Sequence, residues 1–307
     1  MVLRKRKIAK TALAIAIACF VTKPVFSKTI EQTEVDILPY QQTIKLDSSD
    51  SKAYYDLGVE QYNQGDLEEA IANLQKAIKL NPSYVQAYAY LGFVLGQQGE
   101  FDEAIANFQQ AIELDPNFAE AYNYLGLILG EQRELPEAIA NFQQAIELDP
   151  DYAEAYNHLG VALGKQWKFP EAIANFQQAI ELNPNYVEAY LNQGMALILQ
   201  WKSKQGMAKI RKAIELDPNS AQAYNYLGLA FQSQGKLDDA IANYQQAIEL
   251  DSDYAQAYRH LAALLHEQGK LEDAIKNYQQ SLDLEPDSPK AQNGIREAKR
   301  SLESSEK

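Results

Sequence analysis

The sequence predicts an all-α array made of seven copies of one helix-turn-helix unit, and three observations carry that reading. A helix-stopping step recurs every 34 residues, at Pro82, Pro116, Pro150, Pro184, Pro218, Ser252 and Pro286. No insertion breaks the register between Ser51 and Ser288. Within a unit, apolar residues fall at helical spacing in two stretches, such as Tyr122, Leu125 and Leu129, then Ala138, Phe142, Ala145 and Ile146. A fixed period of this length marks stacked supersecondary units that contact mainly their neighbours, so the 307 residues count repeats rather than globular domains.

Residues 1–27 differ in composition from all that follows. Arg4, Lys5, Arg6, Lys7 and Lys10 precede an apolar run from Ala12 to Val21, and Val25 and Ser27 offer a small-residue cleavage site, so the segment reads as a secretory signal peptide. An uncleaved anchor is the rival reading, although the run is about half of the ~20 residues a spanning helix needs. Cys19, the only cysteine, lies inside it, and its lipid modification is a third reading. Loss of the six basic residues of this segment takes the 28 basic residues to 22 against 42 acidic ones, a net charge of −20. Such a field disfavours nucleic acid and anionic membrane and attracts basic segments.

Residues 28–50 form a linker followed by a degenerate half repeat, because Tyr40 to Asp47 matches the end of a second helix such as Phe142 to Asp149. Residues 51–288 hold the seven units. Residues 289–307 form a capping helix and tail, in which Ala291, Ile295, Ala298 and Leu302 make one apolar stripe on a polar helix.

The units are numbered from position 1 at Ser51, Val85, Ala119, Ala153, Val187, Ala221 and Ala255. Gly126 at position 8 and Ala138 at position 20 are small enough for two helices to approach closely. Gly65, Gly99, Gly235 and Gly269 at position 15 suit the left-handed residue that ends a helix, and Pro136 and Pro170 at position 18 suit a first helical turn. Asn117 with Glu120, Asp151 with Glu154 and Asn185 with Glu188 have the spacing of a capping box.

An aromatic at 4, Leu at 7, Gly at 8, Ala at 20, an aromatic at 24, Ala at 27 and Pro at 32 together resemble the tetratricopeptide repeat. The resemblance covers all seven units. It implies a right-handed superhelical solenoid of antiparallel helix pairs with capping helices, whose first helices line a concave groove for peptides or partner helices. It also implies that positions 2, 5, 6, 9, 12 and 13 line that groove.

On that basis the expected groove residues are Tyr90, Asn123, Tyr124, Asn157, His158, Leu191, Asn192, Met195, Ile198, Asn225, Tyr226, Arg259 and His260. Spaced asparagines can hydrogen-bond the main chain of an extended peptide, or merely solvate a helix face. The carboxylate-gripping mode of the chaperone-binding subclass is not expected, since Tyr55 and Val59 occupy its places. Unit five departs most from the pattern, with Gln193 at position 7, Trp201 at 15, Gly206 at 20 and a net charge of +2. Its apolar groove positions, with an edge patch of Lys165, Trp167, Lys168, Trp201, Lys202 and Lys204, read either as a contact surface or as a loosened, drifted helix pair.

No catalytic set, metal site or cofactor site is expected. His260 and His266 are six apart, a spacing that does not place two ligands on one helix face, and the glycines recur for packing rather than for phosphate binding. The expected function is a non-enzymatic scaffold in the cell envelope that binds proteins or peptides, with neither nucleic acid nor a small-molecule substrate as partner. The alternative is a membrane-surface assembly factor for a membrane complex, and an enzyme is the weaker third reading. The leader and the glutamine-rich repeats have a bacterial cast, which places the exported chain in a periplasm or another extracytoplasmic lumen.

Overall fold

A computed structural model describes residues 37–305; the expected signal peptide and the first part of the expected linker lie outside them. The described residues are all-α and comprise sixteen helices. They fall into two compact units that meet in sequence at Lys168 and Phe169.

The first unit holds α1 (Leu38–Leu46), α2 (Ser51–Gln64), α3 (Leu67–Leu80), α4 (Val85–Gln98), α5 (Phe101–Leu114), α6 (Ala119–Glu131), α7 (Leu135–Leu148) and α8 (Ala153–Lys165). Each helix packs on the next in sequence, and the first helices of successive repeats, α2, α4, α6 and α8, also touch one another in order. That second set of contacts makes one continuous face of first helices, and it is the face that carries the site. The second unit holds α9 (Phe169–Leu182), α10 (Val187–Leu199), α11 (Ser203–Leu216), α12 (Ala221–Ser233), α13 (Leu237–Leu250), α14 (Ala255–Glu267), α15 (Leu271–Leu284) and α16 (Pro289–Ser305); each packs on the next, and α10 also touches α12, as α14 does α16.

The small residues act where the pattern places them. A Cβ on Gly126 would stand 2.7 Å from the Phe142 ring and 3.1 Å from the Ala138 carbonyl oxygen. The alanines at position 20 that pair with them, among them Ala70, Ala104 and Ala138, are wholly buried. Large core side chains such as Phe108, Phe176 and Tyr244 fill the space around these contacts.

Helix ends show one agreement and one correction. Position 15 is left-handed in every repeat: Gly65, Gly99, Gly235 and Gly269 have φ of 90, 84, 75 and 78°, and Arg133, Trp167 and Trp201 follow at 67, 65 and 64°. The capping boxes do not form. The residues that cap α6, α8 and α10 are Phe118, Tyr152 and Tyr186, none of which makes a side-chain capping bond. The turn is instead closed one step earlier, where the Asp115, Asp149 and Asn183 side chains accept from the backbone N–H of Asn117, Asp151 and Asn185 at 3.0, 3.1 and 3.1 Å. Proline at position 32 has no N–H, and the Asx side chain before it bridges to the next available donor.

Unit five is not a loosened pair. A Cβ on Gly206 would lie 2.5 Å from the Gly194 carbonyl oxygen and 2.6 Å from Ile198, so α10 and α11 approach backbone to backbone where other repeats interpose a methyl group. Gln193 replaces the usual leucine within a polar network rather than at a surface. Its Nε2 donates to the Ile173 carbonyl at 3.2 Å and to Gln177 Oε1 at 3.1 Å, and Lys209 Nζ donates to the same Gln177 oxygen at 3.3 Å. Burial holds the Lys209 ammonium below its ordinary range, and the ammonium lies 5.6 Å from the Tyr190 ring centre.

Candidate peptide-binding groove

The concave pocket of the first unit is built from residues spaced one repeat apart. Position 5 contributes Tyr55, Ala89 and Asn123; position 6 contributes Tyr90, Tyr124 and His158; position 9 contributes Phe93 and Leu127; and Tyr62 stands at position 12. Gln86, Glu120 and Glu154 at position 2 form an exposed rim. Phe118 and Tyr152, each the last residue of a repeat, complete the wall of a cavity of about 470 Å³. Positional reasoning missed these two, because the aromatic at position 34 looks like part of a turn until the helix that follows swings its ring toward the groove.

The rings form a connected array. Tyr90 meets Tyr55 and Tyr62 edge to face at 6.1 and 5.7 Å between centres, Phe93 lies 5.6 Å from Tyr90 and 5.3 Å from Tyr124, and Tyr124 stacks on Phe108 at 5.9 Å. These are favourable aromatic geometries, and they hold the pocket wall in place without a ligand. Burial raises the phenol pKa values of Tyr90, Tyr124 and Tyr152, so the hydroxyls stay neutral at any physiological pH.

The asparagine ladder is engaged within the protein. Asn123 Nδ2 donates to Tyr152 Oη at 3.1 Å, which leaves its Oδ1 to accept from His158 Nδ1–H at 2.9 Å. The second unit repeats the arrangement: Asn225 donates to Tyr254 at 3.3 Å and accepts from His260 at 2.8 Å. Burial lowers the His158 pKa to about 4 and, with Arg259 and Lys290 nearby, that of His260 to about 3, so both rings are neutral. Asn123, Asn157 and Asn225 are 1, 5 and 0% exposed, which corrects their reading as open donors for a peptide main chain. Asn123 and Asn225 tie adjacent repeats together and hold the Tyr152 and Tyr254 hydroxyls.

The remaining expected residues fall elsewhere. Leu191, Asn192, Met195 and Ile198 of unit five are buried, so they do not form the apolar contact surface expected there, and Tyr226 of unit six is buried too, its Oη accepting from Gln222 at 3.0 Å. Arg259 is tied to Glu285 at 3.1 Å and to Ser288 at 3.3 Å. Lys165, Trp167 and Lys168 belong to the first unit, and Trp201, Lys202 and Lys204 to the second; the two tryptophans are 49 and 69% exposed. Among the described residues no group of three or more histidine, cysteine or acidic side chains is placed to hold a metal, and no helix is long and apolar enough to cross a membrane.

With this geometry in hand, comparison places the chain in a class. A family model described as TPR repeat matches residues 60–99, 94–133, 131–166, 231–269 and 263–295, and two models described as tetratricopeptide repeat match 153–186 and 210–242. The chain belongs to the tetratricopeptide repeat family, whose fold is a scaffold typical of protein-protein interaction and generally non-catalytic. No curated protein matches it.

Among solved structures, a tetratricopeptide repeat protein from Parabacteroides merdae is similar at 16% identity and a TM-score of 0.69, over 81% of this chain and 98% of that one. A chain of the APC/C hetero-tetramer Cut9-Hcn1 is similar at 16% identity and a TM-score of 0.68, over 85% of this chain and 52% of that one. Yeast Tom70 is similar at 20% identity and a TM-score of 0.62, over 97% and 65%. The chain thus spans about half the length of the Cut9-Hcn1 chain. At these identities the likeness is one of fold.

Proposed function

We propose that the protein is a non-enzymatic scaffold that holds a peptide segment or helix of a partner protein in the concave pocket of its first unit. The observation that supports this most is the pocket itself. Its aromatic wall is prearranged by ring-to-ring contacts, and about 470 Å³ is left unfilled by the repeat's own packing. Large rigid side chains with polar tips supply contact area at little cost in conformational freedom, which is what recognition of a partner segment needs. The basic, apolar leader supports work in the cell envelope, after export.

The test is a pull-down on the purified chain, with partners identified and compared against the Tyr90→Ala, Tyr124→Ala double variant. Circular dichroism establishes that the variant keeps its helices. The reading predicts a specific partner that the variant loses; unchanged capture by a folded variant overturns it.

A second reading, docking of the scaffold at a membrane surface during assembly of a membrane complex, draws support from Trp201. It is exposed beside Lys202 and Lys204. Fractionation separates the cases: release from membranes by high salt supports surface docking, release only by detergent supports an anchor, and recovery with soluble protein removes this reading.

A further inference from the structure

Three observations about the pocket bear on what it selects. Its lining is rich in aromatic rings, with Tyr55, Tyr62, Tyr90 and Tyr124 among them. The charged residues that line it are Glu120 and Glu154, and neither lysine nor arginine is among them. Lys52, a cation whose charge acts on Tyr55, is held by Asp56 on its own helix.

A further carboxylate, outside the pocket lining, stands near Tyr90. Glu60 is 8% exposed, its Oε1 has no hydrogen-bond partner among the described residues, and its charge acts on Tyr90. A buried carboxylate oxygen without a donor gains most from a positive charge brought near it. Aromatic faces attract cations through the ring quadrupole, most strongly where water is excluded, and the flanking carboxylates add the steering that brings a cation in.

We infer that the pocket selects a basic side chain, lysine or arginine, of the bound segment, with its cationic head against the Tyr90 and Tyr124 rings and between the Glu120 and Glu154 carboxylates. This rests on the reading that the pocket holds a partner segment. The neutral phenols and the internally paired Asn123 and His158 leave the carboxylates to set its charge preference. The partner is therefore a protein with an accessible basic segment rather than an acidic or purely apolar one.

The experiment selects a random peptide library on the full chain and measures affinity for a selected decapeptide and for its versions with each lysine or arginine replaced by norleucine. Selected peptides are expected to carry a shared basic anchor whose replacement weakens binding at least about tenfold. Glu120→Lys with Glu154→Lys, both on the exposed rim, should weaken it as strongly, and binding should fall steeply between low and high salt. Tyr90→Leu keeps apolar area but removes the ring face; it too should weaken a basic anchor. Peptides that need Tyr90 and Tyr124 but carry an apolar or acidic anchor, indifferent to the rim variants, overturn the charge preference and leave the scaffold reading standing. A library that yields no binder requiring the pocket overturns both.

Discussion

Trp201 sits at φ 64° with 69% of its surface exposed, a backbone conformation that disfavours any side chain with a Cβ. Four of the seven turns of this kind use glycine, and against those the cost of the tryptophan is on the order of 1 kcal/mol, partly offset by the freedom glycine would add to the unfolded chain. Trp201→Gly is therefore expected to raise stability by roughly 0.5–1 kcal/mol, read as a higher urea midpoint at unchanged slope. A lower midpoint would show that the ring makes packing contacts that outweigh the strain. The tryptophans were visible in the sequence as departures at position 15, where glycine elsewhere marks a left-handed residue, but that their own backbone keeps the left-handed angle is seen only in the structure.

The two groove histidines make a second prediction at this scale. Their folded-state pKa values, about 4 for His158 and about 3 for His260, lie below the unfolded value near 6.5, with burial the principal cause. The unfolded chain binds the extra protons, so the stability they contribute is present above pH 6.5 and is lost as pH falls from there toward 4 and 3, on the order of 3 kcal/mol each. Histidine ring resonances followed by NMR should show both neutral at pH 5.5. Rings half-protonated near pH 6.5 would contradict their burial against Asn123 and Asn225.

At the scale of the helix pair, unit five makes the sharpest case. Its alanine at position 20 is replaced by Gly206, and α10 and α11 have closed on the space, leaving 2.5 Å between a hypothetical Cβ and the Gly194 carbonyl. Restoring the repeat's own residue with Gly206→Ala should destabilise the protein by about 1–3 kcal/mol, as overpacking does, although alanine is the better helix former. A gain on thermal or urea denaturation would mean the pair has slack.

The same helix pair shows how sequence and structure divide the information. Helix positions, the left-handed turn and the small-residue contacts were legible because each follows from a local pattern repeated in register. The capping boxes were not what forms, because Asp115 and Asp149 compete for the same turn and close it through the N–H two residues on. Gln193 stood out in the sequence only as a departure at position 7, and its partners Gln177 and Lys209 were not legible, because only tertiary packing brings those three together.

At the scale of the molecule, the array of stacked repeats creates a surface that no single repeat contains. Tyr90, Asn123, Tyr124 and His158 are the lining residues that had been singled out; the rest of the lining, and which polar residues remain available, escaped. Asn123 faces the groove yet is engaged by Tyr152 and His158, residues 29 and 35 positions away, so the tyrosine rings and the position 2 carboxylates are left to meet a partner.

The most direct measurement is backbone amide exchange of the full chain with and without a bound, library-selected peptide. Added protection is expected to concentrate in α4 and α6, where Tyr90, Glu120 and Tyr124 stand, and to be lost in the Tyr90→Ala, Tyr124→Ala variant. Protection confined to the second unit around Trp201, with α4 and α6 unchanged, would contradict it.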